Sequence, residues 1–429
     1  MKLNYKRTTL VGLAFMSICA FWQVYDNIIP LILENTFGMN ARLTGIIMGA
    51  DNILALFMLP LFGALSDRTL TKIGRRMPYI LAGTAVAAIC VVIIPLAQRS
   101  KNIVVFMTTL GILLVAMSIY RSPAVALMPD TTIKPLRSKA NAVINLMGAI
   151  GGAMVLGATP LLVNKIDDNY FPLFLALSIF MALCVAALFL FVNEPSAAAD
   201  MRRESESFGI EEGKAEGDKD GKDEKMQPQV KRSFILILSS IFLWFMGYNA
   251  VTTGFTRYAS NVWNRGVGNS SLILLVAQVA AIATYIPVGL IASEIGRKKT
   301  ILCGITMLAL AFGSSMFFTD FSSLMFVFFS LAGIGWAFIN VNSYPMVVEM
   351  SKGANIGRYT GYYYLFSMAA QSVTPLFSGV FVDAIGWRTL FPYGCVFVGL
   401  SFATMLFVKH GDSKPEASQS KLEAFDVDD

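Results

Sequence analysis

Long apolar runs alternate with short polar ones along the whole chain. Runs bounded by proline, glycine or charge predict six membrane-crossing helices at 8–31, 42–65, 77–98, 103–128, 138–163 and 171–193. Six more are predicted at 233–256, 271–293, 300–319, 322–348, 355–382 and 389–409. Each has the roughly 20 mostly apolar residues that a bilayer crossing needs. Between the two sets lies 194–232, which contains EEGKAEGDKDGKDEK. It is polar, carries both signs of charge and is nearly free of aromatics, so a disordered cytoplasmic linker is expected. The domains expected are therefore 1–193, the linker 194–232, 233–409, and a cytoplasmic tail at 410–429.

The two sets resemble each other at an offset near 222 residues. Trp22 matches Trp244, Asn27 matches Asn249, and Gly74-Arg75-Arg76 matches Gly296-Arg297-Lys298. Asp130 matches Glu349 and Arg137 matches Arg358 at almost the same offset. The order and spacing agree across loops and spans, and both sets start on the same side. The fold class expected is an all-α polytopic membrane protein, with 12 transmembrane helices as two parallel-repeat six-helix bundles around a central cavity.

Composition agrees. Hydrophobic residues make up 55% of the 429 and charged residues 14%, with a mean hydropathy of +0.61. A soluble chain of this length would have too few polar residues for its exterior. The net charge of +6 would suit a nucleic-acid binder, but its placement excludes that reading. Of the 34 lysines and arginines, 26 fall in segments sharing a side with the N-terminus, seven on the other side, and Arg121 inside a span. That asymmetry puts both termini in the cytoplasm. The basic start, Lys2, Lys6 and Arg7, imitates a signal peptide. The apolar run behind it is too long for one and lacks a small-x-small cleavage site, so it reads as an uncleaved span. The five cysteines show no paired spacing, and the single histidine, His410, follows the last span. Neither a disulfide framework nor a histidine-based metal or catalytic site is supported.

Between the second and third spans stands GALSDRTLTKIGRRMPYI, residues 63–80, with a degenerate copy, GLIASEIGRKKTIL, at 289–302. This resembles the short-loop signature of the major facilitator superfamily. The extra residues between Asp67-Arg68 and Gly74-Arg75-Arg76, the following Pro78, and YRSPAVALMPD at 120–130 are similar to the branch holding sucrose/proton and glycoside–cation symporters. The resemblance implies secondary transport by alternating access, with gating by Gly63, Asp67, Arg68, Gly74, Arg75, Arg76, Asp130 and Glu349. The residues support part of this independently. Gly63 lets two helices approach closely. Asp67 can accept from Arg75, Arg76 or a helix N-terminus. The alternative is an ordinary positive anchor, and Asp130 and Glu349 could equally pin their loops to Lys134, Arg137 or Arg358.

Polar residues inside spans are the candidate chemistry. FWQVYDNIIP places Trp22, Gln23, Asp26 and Asn27 on one broad face of the first helix, which must turn away from lipid. Asp51, in the second span, lies at a similar depth. Two carboxylates in one low-dielectric cavity make a proton carrier physically reasonable, and Na⁺ would also suit their oxygens. Arg121 needs a partner; Asn141, Asn145 and a carboxylate across the cavity are the choices. Coupling is assigned to Asp26, Asp51 and Arg121, with H⁺ as the coupling ion or Na⁺ as the alternative, and no other cofactor. Substrate contact is assigned to Trp22, Gln23, Asn27, Asn145, Trp244, Tyr248, Asn249, Gln278, Asn340, Asn342, Tyr362 and Gln371, with Trp336 and Tyr344 nearby. Aromatics stack on sugar rings and amides bond hydroxyls, although a helix–helix contact would use the same residues. Tyr362-Tyr363-Tyr364 is expected at the centre of its span.

The function expected is proton-coupled symport of a di- or oligosaccharide or glycoside, by a monomer in a bacterial cytoplasmic membrane. An exporter of drugs or organic ions is the rival transporter. An intramembrane aspartyl enzyme would have to use Asp26 and Asp51 in a duplicated transporter-like frame. A transporter-like sensor would want a soluble output domain that neither linker nor tail resembles.

Overall fold

The computed structural model describes residues 3–133, 136–163, 169–207, 228–348, 350 and 356–411. Every element among them is helical. The helices are α1 (Tyr5–Leu31), α2 (Ala41–Arg68), α3 (Met77–Arg99), α4 (Ile103–Thr131), α5 (Arg137–Leu162), α6 (Phe171–Phe191) and α7 (Glu194–Ser207). After them come α8 (Pro228–Trp263), α9 (Val267–Ile295), α10 (Arg297–Ser315), α11 (Leu324–Val348), α12 (Ile356–Ile385) and α13 (Leu390–Leu406). Among the described residues, 11 helices are long and apolar enough to cross a membrane. The remaining long helix, α10, is made more polar by Arg297, Lys298 and Lys299 in its first turn. Large apolar side chains such as Phe57, Leu161, Leu190 and Phe191 are left exposed, the exterior of a chain surrounded by lipid.

Local chemistry places the helix ends. Asn4 and Asn102 cap α1 and α4 by accepting from the backbone N–H groups of Arg7 and Val105, each at 3.1 Å. Gly74, Gly296 and Gly386 take φ of +115°, +91° and +115°, a region that disfavours any side chain. Gly74 and Gly296 are the repeat-related pair, so both halves make their turn the same way.

The chain divides into two compact units, one of Met1–Gly38 and Ala50–Gly213, the other of Met39–Gly49 and Lys214–Asp428. In the first, α1 packs on α5 and α6, and α3 on α4 and α6. In the second, α8 packs on α12 and α13, and α10 on α11 and α13. These are the same pairings shifted by one repeat. Small residues permit them: a Cβ on Gly151 would lie 2.2 Å from Met16 O, and one on Gly83 would lie 2.8 Å from Tyr120 N.

Three expectations need correction. The segment from 194 is not linker throughout, because 194–207 forms α7. This helix lies against α4 and buries Glu194, Ala197, Met201 and Ser205 along one face. Met201 joins Ile133, Leu136 and Leu3 in an apolar cluster, contacts that a reading of net polarity does not reveal. The seventh span does not stop at 256: α8 runs on to Trp263, which places Arg257 in a helix at 6% exposure. The tyrosine triplet lies at the end of the second turn and in the third turn of α12, because that helix begins at Ile356. The rest of the expected linker and tail, 208–227 and 412–429, lies outside the described residues, as does Glu349.

Candidate functional site

In the first unit, α1 contributes Trp22, Gln23, Asp26 and Asn27, α2 contributes Asp51, and α4 contributes Arg121. Tyr120 fixes α4 against α1. Its hydroxyl is 2.6 Å from Ser17 Oγ and donates to Ala14 O at 2.8 Å, with the ring fully buried. One residue on, the Arg121 guanidinium carbon lies 5.8 Å from the centroid of the Trp22 ring, within cation–π range. Trp22, Asp51, Ala55, Leu59, Leu114, Met117, Ser118 and Arg121 line a small pocket. Asp51 Oδ1 accepts from Asn52 N at 2.6 Å and Asn52 Nδ2 at 2.8 Å. Asp26 is in electrostatic reach of Asp51 and Arg121, and Arg121 also acts on Asp51. The structure thus brings the three residues assigned to coupling together, with an indole beside them.

Two polar atoms there have no hydrogen-bond partner, Trp22 Nε1 and Tyr25 Oη. Tyr25 is nearly fully buried, and both carboxylates act on its hydroxyl. Asn27 is buried, and its Nδ2 donates to Gln23 O at 2.9 Å. Gln23 and Asn145 are half-buried.

In the second unit, Tyr248 of α8 and Trp336 of α11 stack face to face at 3.8 Å and 6°, while Phe245 meets the same indole edge-on at 5.2 Å. Asn249 is half-buried, and its Nδ2 makes no hydrogen bond. Gln278 and Gln371 are half-buried on α9 and α12. Trp244 is 0% exposed and belongs to the core, so it does not share the half-open setting of its counterpart Trp22. Asn340 and Asn342 are buried, and Asn342 Nδ2 donates to Phe338 O at 3.0 Å. Tyr362 packs on Phe234 at 5.7 Å, near the first turns of α8 and α12, about two turns or more from Gln371. The residues assigned to substrate contact therefore divide between a half-open set and a core set.

The loop between α2 and α3 forms one charged cluster. Arg76 is 5% exposed and donates from Nη2 to Asp67, from Nη1 to Ser66 Oγ and Gly63 O, and from Nε to Asp130 Oδ2 at 2.8 Å. Arg75 Nη2 reaches Asp130 Oδ1 at 2.6 Å. Asp130 thus holds Arg75 and Arg76; Lys134 and the Arg137 side chain lie outside the described residues. Arg68 is exposed. Glu194 closes the cluster from α7, accepting from the N–H groups of Arg75, Arg76 and Met77 at 2.8–2.9 Å. Those of Arg76 and Met77 are donors that the start of α3 leaves unsatisfied. The repeat's copy is built differently: Lys298 Nζ donates to Leu406 O and Val408 O at the end of α13.

A sequence model described as the Major Facilitator Superfamily matches residues 11–263 and 264–426. The chain belongs to this superfamily. It is a secondary transporter and not an enzyme. The sucrose transport protein SUC3 of Arabidopsis thaliana is 30% identical over 142 residues, a match covering 29% of this chain and 24% of that protein. The chain thus matches only about a quarter of that relative's length. Among solved structures, the xylose transporter XylE from E. coli, partially occluded and inward open, aligns with a TM-score of 0.66 at 12% identity. That alignment covers 97% of this chain and 100% of XylE. The nucleoside transporter NupG aligns at 0.64 and 16%, covering 95% and 100%. A structure of proton dependent oligopeptide transporters aligns at 0.67 and 12%, covering 95% and 98%. At these identities the likeness concerns the superfamily fold alone.

Within that superfamily frame, four contributors escaped sequence reasoning. Tyr25 and Ser118 carry weak polar signals, although Ser118 is one turn before Arg121 and shares its face. Glu194 was absorbed into a segment judged by its net composition. Arg257 was assigned to a loop one residue beyond the expected span.

Proposed function

We propose that this transporter is a proton-coupled symporter of a di- or oligosaccharide or glycoside, importing its substrate by alternating access. The observation that carries the reading is the Trp22–Asp51–Arg121 pocket with Asp26 in electrostatic reach. Two carboxylates and a guanidinium at bilayer depth are costly unless they do something there. A proton taken by one carboxylate releases Arg121 toward the other, or toward a substrate hydroxyl, which links protonation to binding. Trp22 offers a face for a sugar ring, and the Tyr25 hydroxyl offers a hydrogen bond. The partial match to a sucrose transport protein favours the same substrate class. Na⁺ is the alternative ion for the carboxylate pair. Charge asymmetry favours cytoplasmic termini; a monomer in the cell membrane is part of the same proposal.

The test is uptake into proteoliposomes of a panel of mono- and disaccharides, with a pH gradient, a Na⁺ gradient or neither. Accumulation of a disaccharide driven by the pH gradient supports the proposal. Accumulation under Na⁺ alone reassigns the ion. Transport of a lipophilic cation, and of no sugar, overturns the proposal in favour of an exporter of organic ions or drugs.

A further inference from the structure

Three helix ends of the second unit are tied together by hydrogen bonds. Ser233 Oγ, near the start of α8, lies 2.8 Å from His410 Nδ1 and accepts from Lys409 N at 3.2 Å. Lys298 Nζ, in the first turn of α10, donates to Leu406 O and Val408 O. The start of α8, the start of α10 and the end of α13 therefore share one corner. They bring Lys231, Arg232, Lys299 and Lys409 to it, all four exposed. Among the described residues, none of these four cations forms an ion pair with a carboxylate. The repeat-related corner of the first unit is the opposite case. There Asp67 and Asp130 hold Arg75 and Arg76, and Glu194 caps α3. Gly296 leads into α10 without a side-chain cap, so the positive end of that helix adds to the basic rim.

What lies beside the cations decides what they meet. Ile235 is exposed and sits one turn along α8 from Lys231, on the same face. On α13, the exposed residues Gly399, Leu400, Ala403 and Leu406 fall within an arc of about 120°. A Cβ on Gly399 would meet nothing within 4 Å. Gly399 and Ala403, one turn apart, thus form a shallow furrow between Leu400 and Leu406. The furrow runs along α13 toward Lys409. A basic rim at the end of an open apolar furrow matches a molecule that is anionic at one end and hydrocarbon at the other. A soluble anion would use the rim alone, and a neutral lipid the furrow alone.

We propose that this corner is a binding site for an anionic phospholipid. Its phosphate lies among Lys231, Arg232 and Lys409, and an acyl chain lies along Gly399 and Ala403. The bound lipid bridges the ends of α8 and α13. The site is separate from the pocket at Trp22, Asp51 and Arg121, and it does not depend on the sugar reading.

The test titrates the full-length protein in detergent with phosphatidylglycerol, and with phosphatidylcholine of the same acyl chains. Bound lipid is read by native mass spectrometry. Phosphatidylglycerol should bind at least ~10-fold more tightly, since each cation near the headgroup contributes a factor of about five. The triple variant Lys231→Gln/Arg232→Gln/Lys409→Gln should lose that preference. Arg202→Gln/Arg203→Gln, which removes two exposed cations of α7, should keep it. Gly399→Leu/Ala403→Leu fills the furrow and should weaken phosphatidylglycerol binding about threefold or more. Its melting temperature without added lipid should stay that of the wild type, because both side chains point outward. Equal affinity for the two lipids, or an unchanged preference in the triple variant, overturns the proposal. An equal loss in the α7 pair reduces the effect to diffuse charge and overturns the site. Displacement of the lipid by an equal concentration of glycerol phosphate makes the corner a soluble-anion site and overturns the lipid. A preference that emerges only after removal of 412–429, which carries Asp412, Glu416, Glu423, Asp426, Asp428 and Asp429, makes that tail the occupant and overturns the proposal as well.

Discussion

Glu194 Oε2 accepts a hydrogen bond from Met77 N at 2.9 Å across 117 residues of sequence. The first turn of α3 has no capping side chain of its own, since its N-cap residue is Arg76, and Glu194 takes that place from α7. The carboxylate also faces the positive end of the α3 dipole. Because α7 packs on α4, and Asp130 of α4 holds both arginines, one acidic residue ties three helices and a loop together.

Glu194→Ala should lower stability by about 1–2 kcal/mol through loss of this cap. In a thermal unfolding scan in detergent that corresponds to a fall of several degrees. Glu194→Gln keeps an accepting oxygen and should lose less. Equal melting of all three proteins would mean that the cap contributes nothing.

Gly74 is constrained twice. Its φ of +115° excludes side chains, and a Cβ would lie 2.2 Å from Glu194 Oε2. Gly74→Ala should therefore cost more than the roughly 1–2 kcal/mol of backbone conformation alone. In the double variant with Glu194→Ala the steric part is relieved, so the two effects should sum to less than their separate values. Strict additivity in thermal scans would refute the contact.

Tyr120→Phe removes the hydroxyl shared with Ser17 and Ala14 O, at a cost of about 1 kcal/mol. Ser17→Ala should cost no more than this once Tyr120 is already Phe. The coupling is read from a double-mutant cycle of melting temperatures. The neighbouring Arg121 should shift with it, seen as a raised KM in uptake.

Arg121→Gln leaves Asp26 and Asp51 facing each other without a cation, and uptake should fall at least ~10-fold, equivalent to about 1.4 kcal/mol or more. Arg121→Lys keeps the charge but loses the planar fork over Trp22, so it should recover part of the activity. Wild-type uptake in Arg121→Gln would remove the residue from the mechanism.

Asp26→Asn should abolish accumulation driven by a pH gradient while substrate exchange between equal pools survives. Proteoliposome efflux and counterflow separate the two. Loss of exchange together with accumulation would transfer Asp26 from proton handling to substrate binding.

The chemistry at Trp22, Asp26, Asp51 and Arg121 was legible because a charge within an apolar run is costly wherever the run folds. Such residues mark themselves in one dimension. Their partners do not. Tyr25 is an ordinary aromatic until two carboxylates act on it, and Glu194 an ordinary acid among many until it caps α3. Trp244 matched Trp22 in sequence, but its own packing encloses it completely.

By itself, the sequence determined what depends on short-range physics: a succession of helices long and apolar enough for lipid, a turn that needs glycine at 74 and 296, and a duplication visible in matched spacing. The tertiary structure alone decided which carboxylate meets which arginine. It also decided that 194–207 folds onto α4, and which of the matched aromatics remain open. Hydrophobic periodicity orients each helix only against an averaged surround of lipid or protein. Partner choice rests on contacts between residues tens to hundreds of positions apart, whose energies no local window contains.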